Sequence, residues 1–350
     1  MERLVFSLPT AVDVLALVTC LGTLSCHLWV VPPPGTAADA PVMTSLRVAL
    51  WRLLGVCLVA LTVSSAGELL GRTLTMSGLP LALLGRTLPT VLLRTHYGRV
   101  WGVRLGALAL LWLGWGVGRK RLHAQAIPAL MLAGGSLLAL TRSLSGHAAD
   151  WGDVTLPVLM DGLHLLAAGL WGGGLLALAG VVLPGALRDM PPPRTGLAAI
   201  ARRFATLASL ALVVVLLTGV ANAWVQVGTV RVLWATPYGR TLLAKLLLVG
   251  LVLLLGAVNH YLYVPLLQQW AGRRVARGWL LQAVLTRWRT PAGPQIAQHW
   301  RRTVGAEGLV LLGVLLCTVW LLHGRPARSP SHTMPGHAER APTPAVHHGR

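Results

Sequence analysis

The residues best suited to chemistry lie in one stretch, SGHAADWGDVTLPVLMDGLHLLAAGLWGGG, residues 145–174. His147, Asp150 and Asp153 stand in its polar opening, and Met160, Asp161 and His164 follow inside a long apolar run. Asp161 and His164 are three residues apart, so on a helix they share a face with Ala168 and Trp171. At 1.5 Å per residue His164 sits about 12 Å below the helix entrance, with His147 in the loop above. Ionisable groups inside an apolar span are costly and face a partner or a wet cavity. Imidazole suits copper, zinc or haem iron, a thioether favours Cu(I), and a nearby carboxylate can orient the ring through its other N–H. The chemistry on offer is metal binding. An Asp161–His164 hydrogen bond that only locks helix packing is the plainer alternative.

The elements that position these residues are membrane spans. The chain is 55% hydrophobic and only 11% charged, with a mean hydropathy of +0.66, against about a quarter charged in soluble domains. Its +20 formal charge comes from 30 Lys and Arg against 10 Asp and Glu. Those cations lie between apolar runs long enough to cross a bilayer, a pattern of membrane orientation rather than of nucleic-acid binding. The expected architecture is all-α and polytopic, with eight helices near 10–31, 47–70, 100–118, 126–143, 156–183, 203–227, 240–263 and 303–322. The first is read as an uncleaved span.

Arginine and lysine in the connections set the orientation. RKRLH at 119–123, the 184–203 connection and the 264–302 connection fall on one side, expected to be cytoplasmic, and the 145–155 loop faces outward. Residues 71–99, interrupted by Pro80 and Pro89, are expected to form an interfacial or re-entrant segment. Trp29, Trp51, Trp101, Trp151, Trp224, Trp234 and Trp300 stand near helix ends, as an interfacial belt requires.

The chain echoes itself. THYGRVWGVRL (95–105) and TPYGRTLLAKL (236–246) share Thr-x-Tyr-Gly-Arg and a cation five residues beyond that Arg, and each precedes a span. The expected organisation is an N-terminal four-helix half over 1–143, a C-terminal four-helix half over 144–322 in parallel orientation, and a disordered, extracytoplasmic tail over 323–350.

Other polar groups have plainer readings. Glu68 is expected to pair with Arg72 four residues on. Glu307 can face Asn259 and His260 to form a polar exit on the inner side. Gly169 and Gly173 have the spacing that admits a second backbone. Cys20, Cys26, Cys57 and Cys317 are read as small buried hydrophobes. The His-rich tail can capture metal loosely. No phosphate loop, HExxH, CxxC or nucleophile-elbow pattern anchors an enzyme.

Several runs together carry a resemblance: the stretch from SGHAADWGDV to WGGGLL, then RRFATLASLALVVVLLTGVANAW, TPYGRTLLAKLLLVGLVLLLGAVNHYLYVPLL and RRTVGAEGLVLLGVLL, with TMSGLP and THYGRVWGVRL upstream. In these the chain resembles the bacterial copper resistance D (CopD) family. The resemblance implies an inner-membrane protein that passes copper inward from an extracytoplasmic copper-binding partner (CopC), with His147 and His164 as metal contacts; from their place beside His164, Asp161 or Met160 is expected to assist. The alternative is a haem b carrier of the four-helix kind, which needs two histidines at one depth on facing helices.

Overall fold

The structure, a computed structural model, describes residues 2–33, 40–78, 81–146, 152, 155–188, 193–227, 230–274 and 293–323. Eight helices are long and apolar enough to cross a membrane: α1 (Ser7–Val30), α2 (Ala40–Ser77), α3 (His96–Gly118), α4 (Ala126–Leu144), α5 (Leu156–Ala186), α6 (Arg194–Trp224), α7 (Pro237–Trp270) and α8 (Gly293–Leu322). No strand occurs among the described residues. The chain is therefore an all-α, multi-pass membrane protein. His147, Asp150, Asp153, Trp151 and the tail beyond residue 323 lie outside the described residues.

Several helices overrun the expected spans. α2 has 38 residues, about 57 Å at 1.5 Å per residue, against a hydrocarbon thickness of about 30 Å. It absorbs residues 71–77, which were expected to belong to the interfacial segment. What remains of that segment is a short helix, Leu84–Arg94, too short to span and laid against α2 and α3.

The repeated Thr-x-Tyr-Gly-Arg motif starts α3 and α7 in the same way. Thr95 and Thr236 both hold extended backbone conformations, and each hydroxyl accepts a hydrogen bond from the glycine N–H three residues on, at 3.1 Å to Gly98 and 3.0 Å to Gly239. A threonine N-cap satisfies one of the four backbone donors that a helix start leaves free.

α1 is the axis of the bundle and packs against α2, α4, α5 and α8. Its crossing with α5 is backbone to backbone. A Cβ built at Gly173 would lie 1.8 Å from the Val18 carbonyl oxygen, and one at Gly22 would lie 1.8 Å from the Gly173 carbonyl carbon. Of the Gly169/Gly173 pair, Gly173 thus makes the close approach, while Gly169 meets the Leu21 side chain. At the far end Arg47 of α2 closes α1. Its guanidinium donates to the carbonyls of Val31, at 2.9 Å, and His27, at 3.3 Å. Those are last-turn acceptors at the negative end of the helix dipole.

Two of the expected belt tryptophans turn inward instead. Trp51 exchanges hydrogen bonds with Trp115, each indole N–H donating to the other residue's carbonyl at 3.1 and 3.0 Å. Trp300 is fully buried in the core that α5, α6, α7 and α8 share. A Trp at a helix end goes to the core where an indole N–H finds an internal acceptor or the ring a packed slot. Trp29, Trp224 and Trp234 remain exposed. Cys20 and Cys57 are buried in the α1–α4 core and Cys26 in the other core, as small hydrophobes, and all four cysteines are free.

Candidate metal centre

Asp161 and His164 point into the bundle. Both are half-buried, and both meet α6. The Asp161 carboxylate accepts from Ser143 Oγ of α4 at 2.7 Å and lies 3.5 Å from Asn222 Nδ2 of α6. His164 Nδ1 lies 3.0 Å from Thr218 Oγ1. Thr218 and Asn222 are four residues apart on α6 and Asp161 and His164 three apart on α5, so two polar rails run side by side. The imidazole edge sits over Gly219, where an added Cβ would come within 3.2 Å of Cε1.

The partner of His164 fixes its tautomer. Thr218 Oγ1 donates its single proton to the Val214 carbonyl at 2.6 Å. It therefore meets Nδ1 as an acceptor, and Nδ1 carries the hydrogen. The Val215 carbonyl also lies within hydrogen-bonding reach of the ring. The Nε2 lone pair is left for a ligand. This is the arrangement that metal-binding histidines use, one ring nitrogen held by a hydrogen bond and the other on the metal.

Lys245 of α7 completes the electrostatics. Its ammonium is close enough to act on both Asp161 and His164, and Tyr238 of α7 also faces Asp161. The carboxylate and the ammonium thus lie within each other's field. Met160, one turn before His164, is half-buried. His147 falls outside the described residues. Among the described residues no three His, Cys, Asp or Glu side chains gather closely enough to hold a metal ion. Among them too, His164 meets Thr218 on the facing helix rather than the second histidine a haem would need.

Asp161 and His164 stand out in the sequence, while Ser143, Thr218, Asn222 and Lys245 have no role there. A signal for Lys245 was present, since it is the cation that the repeated motif places after Tyr238.

A second polar cluster lies at the same end of the bundle, built from α1 to α4. Asp13 is completely buried. It accepts from Ser64 Oγ at 3.1 Å, from the Arg104 guanidinium and, at 3.4 Å, from Arg142. Arg142 also pairs with Glu68, and Arg104 Nε donates to Ser65 Oγ at 2.8 Å. Two carboxylates and two guanidiniums make this cluster neutral. It corrects the expected Glu68–Arg72 pair. Glu68 turns inward to Arg142, where low dielectric strengthens the attraction, and the exposed Arg72 sits over the Tyr97 ring, 5.7 Å from its centroid. The two clusters adjoin in sequence, because Arg142 serves one and Ser143 the other.

Near the opposite end, Asn259 Nδ2 donates to Glu307 at 2.6 Å, so the expected approach of these two residues occurs. His260 does not join them. It is exposed and packs edge-on against Tyr261, with ring centroids 4.7 Å apart.

Comparison with known proteins agrees with this architecture. Residues 198–321 match the family model for copper resistance protein D, and residues 1–156 match that for the copper resistance protein D-like N-terminal domain. A curated relative, copper transport protein CutJ of Bacillus subtilis (strain 168), is 36% identical over 125 residues, which make up 36% of this chain and 23% of that protein. The aligned stretch thus covers about a quarter of the relative. No solved structure matches. The two matches together take in seven of the eight spans almost entirely, and the chain belongs to the copper resistance protein D family.

Proposed function

We propose that this protein carries copper across the bacterial cytoplasmic membrane, inward from the extracytoplasmic side, as part of copper homeostasis. The basic connections at 119–123, 184–203 and 264–302 support placing that end of the bundle in the cytoplasm. Copper then arrives at the end that carries the 145–155 loop, delivered by a separate CopC-like copper-binding protein. His147 and Met160 offer it nitrogen and sulfur at the entrance, and His164 receives it below, with Asp161 balancing its charge. The path continues between two four-helix halves, 1–143 and 144–322, set in parallel.

The observation that carries this reading is the oriented imidazole. Thr218 holds the Nδ1–H of His164 and leaves Nε2 as a lone pair inside an apolar bundle. The printed name of the curated relative, copper transport protein, agrees with it.

Cell copper accumulation tests it. His164→Ala at unchanged protein abundance is expected to abolish the copper uptake that depends on this protein. Uptake equal to the wild type's rejects His164 as a transport ligand.

A further inference from the structure

Glu307 and Asn259 form a site that the entrance does not use. Glu307 of α8 is only 3% exposed and Asn259 of α7 only 9%. The carboxylate accepts a 2.6 Å hydrogen bond from the Asn259 amide, while the buried Oδ1 of the same amide has no partner. Asn259 opens a π-helical turn, Asn259–Tyr263, a local widening that often marks functional positions in helices. Gly256, one turn earlier, leaves room for the acid, since a Cβ there would meet Glu307 Oε1 at 3.1 Å.

Among the described residues no cation neutralises this acid. On α7, Lys245 lies 14 residues from Asn259, about 21 Å along the helix, and acts on Asp161 and Cys317 instead. His260 and Tyr261 are exposed, and Tyr263 is half-buried. On α8 itself, Arg301 and Arg302 are exposed one to two turns away, and Cys317 is about 15 Å off. α5 carries no ionisable residue from 165 to 186. α1 offers Cys20 and Cys26, buried in apolar cores, and His27, whose ring faces Arg47. Asn259 is the polar group that acts on Glu307.

A buried acid held by one amide, with the amide's other atom unused, has two balanced states. Ionised, the acid accepts from Nδ2, as observed. Protonated, it donates O–H to Oδ1 once the amide turns over, and the orphaned acceptor is then satisfied. A hard cation such as calcium takes about six or more oxygen ligands, and this site offers two side chains. A proton needs only the pair.

We propose that Glu307, held by Asn259, is a proton-binding site that exchanges its proton against a passing copper cation. Copper moving toward the basic end meets Glu307, the carboxyl O–H bond breaks, the proton leaves to the water on the side copper came from, and the carboxylate balances the metal's charge. When copper departs at the basic end, a proton from the water on that side returns. No electron moves. This inference rests on the copper-transport reading for its cargo, and its first test does not.

Infrared spectroscopy of the full chain in lipid, free of copper, reads the acid directly. The carbonyl-stretch band of a protonated carboxyl is expected to titrate with pH, to vanish in Glu307→Gln and to shift in Asn259→Leu. Glu307 that stays ionised over the whole pH range in which the protein is folded overturns the proposal, as does a band unchanged in Glu307→Gln. In vesicles containing a pH dye, copper is supplied as Cu(II) and, under ascorbate, as Cu(I). Wild-type copper entry is expected to acidify the side that copper leaves, and Glu307→Gln to abolish that proton movement. Proton movement unchanged in Glu307→Gln overturns the exchange. A wild type that moves no copper sinks the transport reading and with it the exchange, while the infrared result still decides whether Glu307 binds a proton.

Discussion

Asp13 and Asp161 occupy the same place in two helices: each stands four residues after the proline of a Leu-Pro-x-x-x-Asp run, LPTAVD at 8–13 and LPVLMD at 156–161. Each aspartate acts with a cation two spans further on: Arg104, with which Asp13 pairs, and Lys245, on which Asp161 acts. Those cations occupy the same step of the repeated Thr-x-Tyr-Gly-Arg motif. What differs is the closure. Asp13 is sealed by Ser64, Arg104 and Arg142. Asp161 is half-buried, and three residues along its helix a histidine replaces the alanine found at position 16. One copy of the arrangement is an internal lock, and the other sets an acid beside an imidazole.

The lock predicts a charge-pair signature. Arg104→Leu leaves Asp13 buried with a weaker partner and is expected to cost about 3 to 5 kcal/mol, because an uncompensated buried charge is the penalty. Asp13→Asn with Arg104→Met removes both charges and is expected to recover most of that loss. Thermal unfolding in detergent checks it. A double variant no better than Arg104→Leu would show that the pair does not hold the bundle.

By holding the Nδ1–H of His164, Thr218 acts as a positioning residue. Thr218→Val keeps the shape and removes the acceptor for Nδ1–H, so copper affinity is expected to fall about 10- to 100-fold, as for other outer-shell partners of metal-bound histidine. Thr218→Ser keeps the hydroxyl and is expected to bind as the wild type does. Chelator competition measures both, and a Val variant equal to the Ser variant removes Thr218 from the site.

The span count, the acid–imidazole face on α5 and the Asn259–Glu307 contact were legible because each rests on hydropathy or helical spacing. The partners of Glu68 were not. An i, i+4 rule favours Arg72, and only the folded bundle shows that Arg142, 74 residues on, is nearer on the buried side. Trp51 and Trp300 sit where a belt residue would, and their burial depends on neighbours that sequence spacing does not specify. Lys245 and Arg104 were visible as a repeated cation, but their meaning appears only once Asp13 and Asp161 are seen as a repeated acid.

Lys245 places a positive charge beside the centre that is to accept a cation. At an effective dielectric of about 20 a unit charge one or two turns away is worth on the order of 1–3 kcal/mol. Lys245→Met is therefore expected to tighten copper binding about tenfold or more, and to slow release in vesicle transport. Titration against a chelator reads the affinity. Unchanged binding would mean that the ammonium swings clear of the metal and takes no part in its release.

The α1–α5 crossing predicts where small size is indispensable. Gly22→Ala places a Cβ 1.8 Å from the Gly173 carbonyl carbon and 2.0 Å from the Gly174 nitrogen. Both are backbone atoms, which no rotamer change can move aside, so the helices must separate. The expected loss is about 3 kcal/mol or more, at the upper end for overpacking. Gly102→Ala is the control. It has nothing within 4 Å of its added Cβ, and alanine is the better helix former by about 1 kcal/mol, so it is expected to be neutral or stabilising. Unfolding midpoints of the two variants decide the matter. Equal midpoints would mean that α1 and α5 do not meet through Gly22 and Gly173, and the central place of α1 in the bundle would go with them.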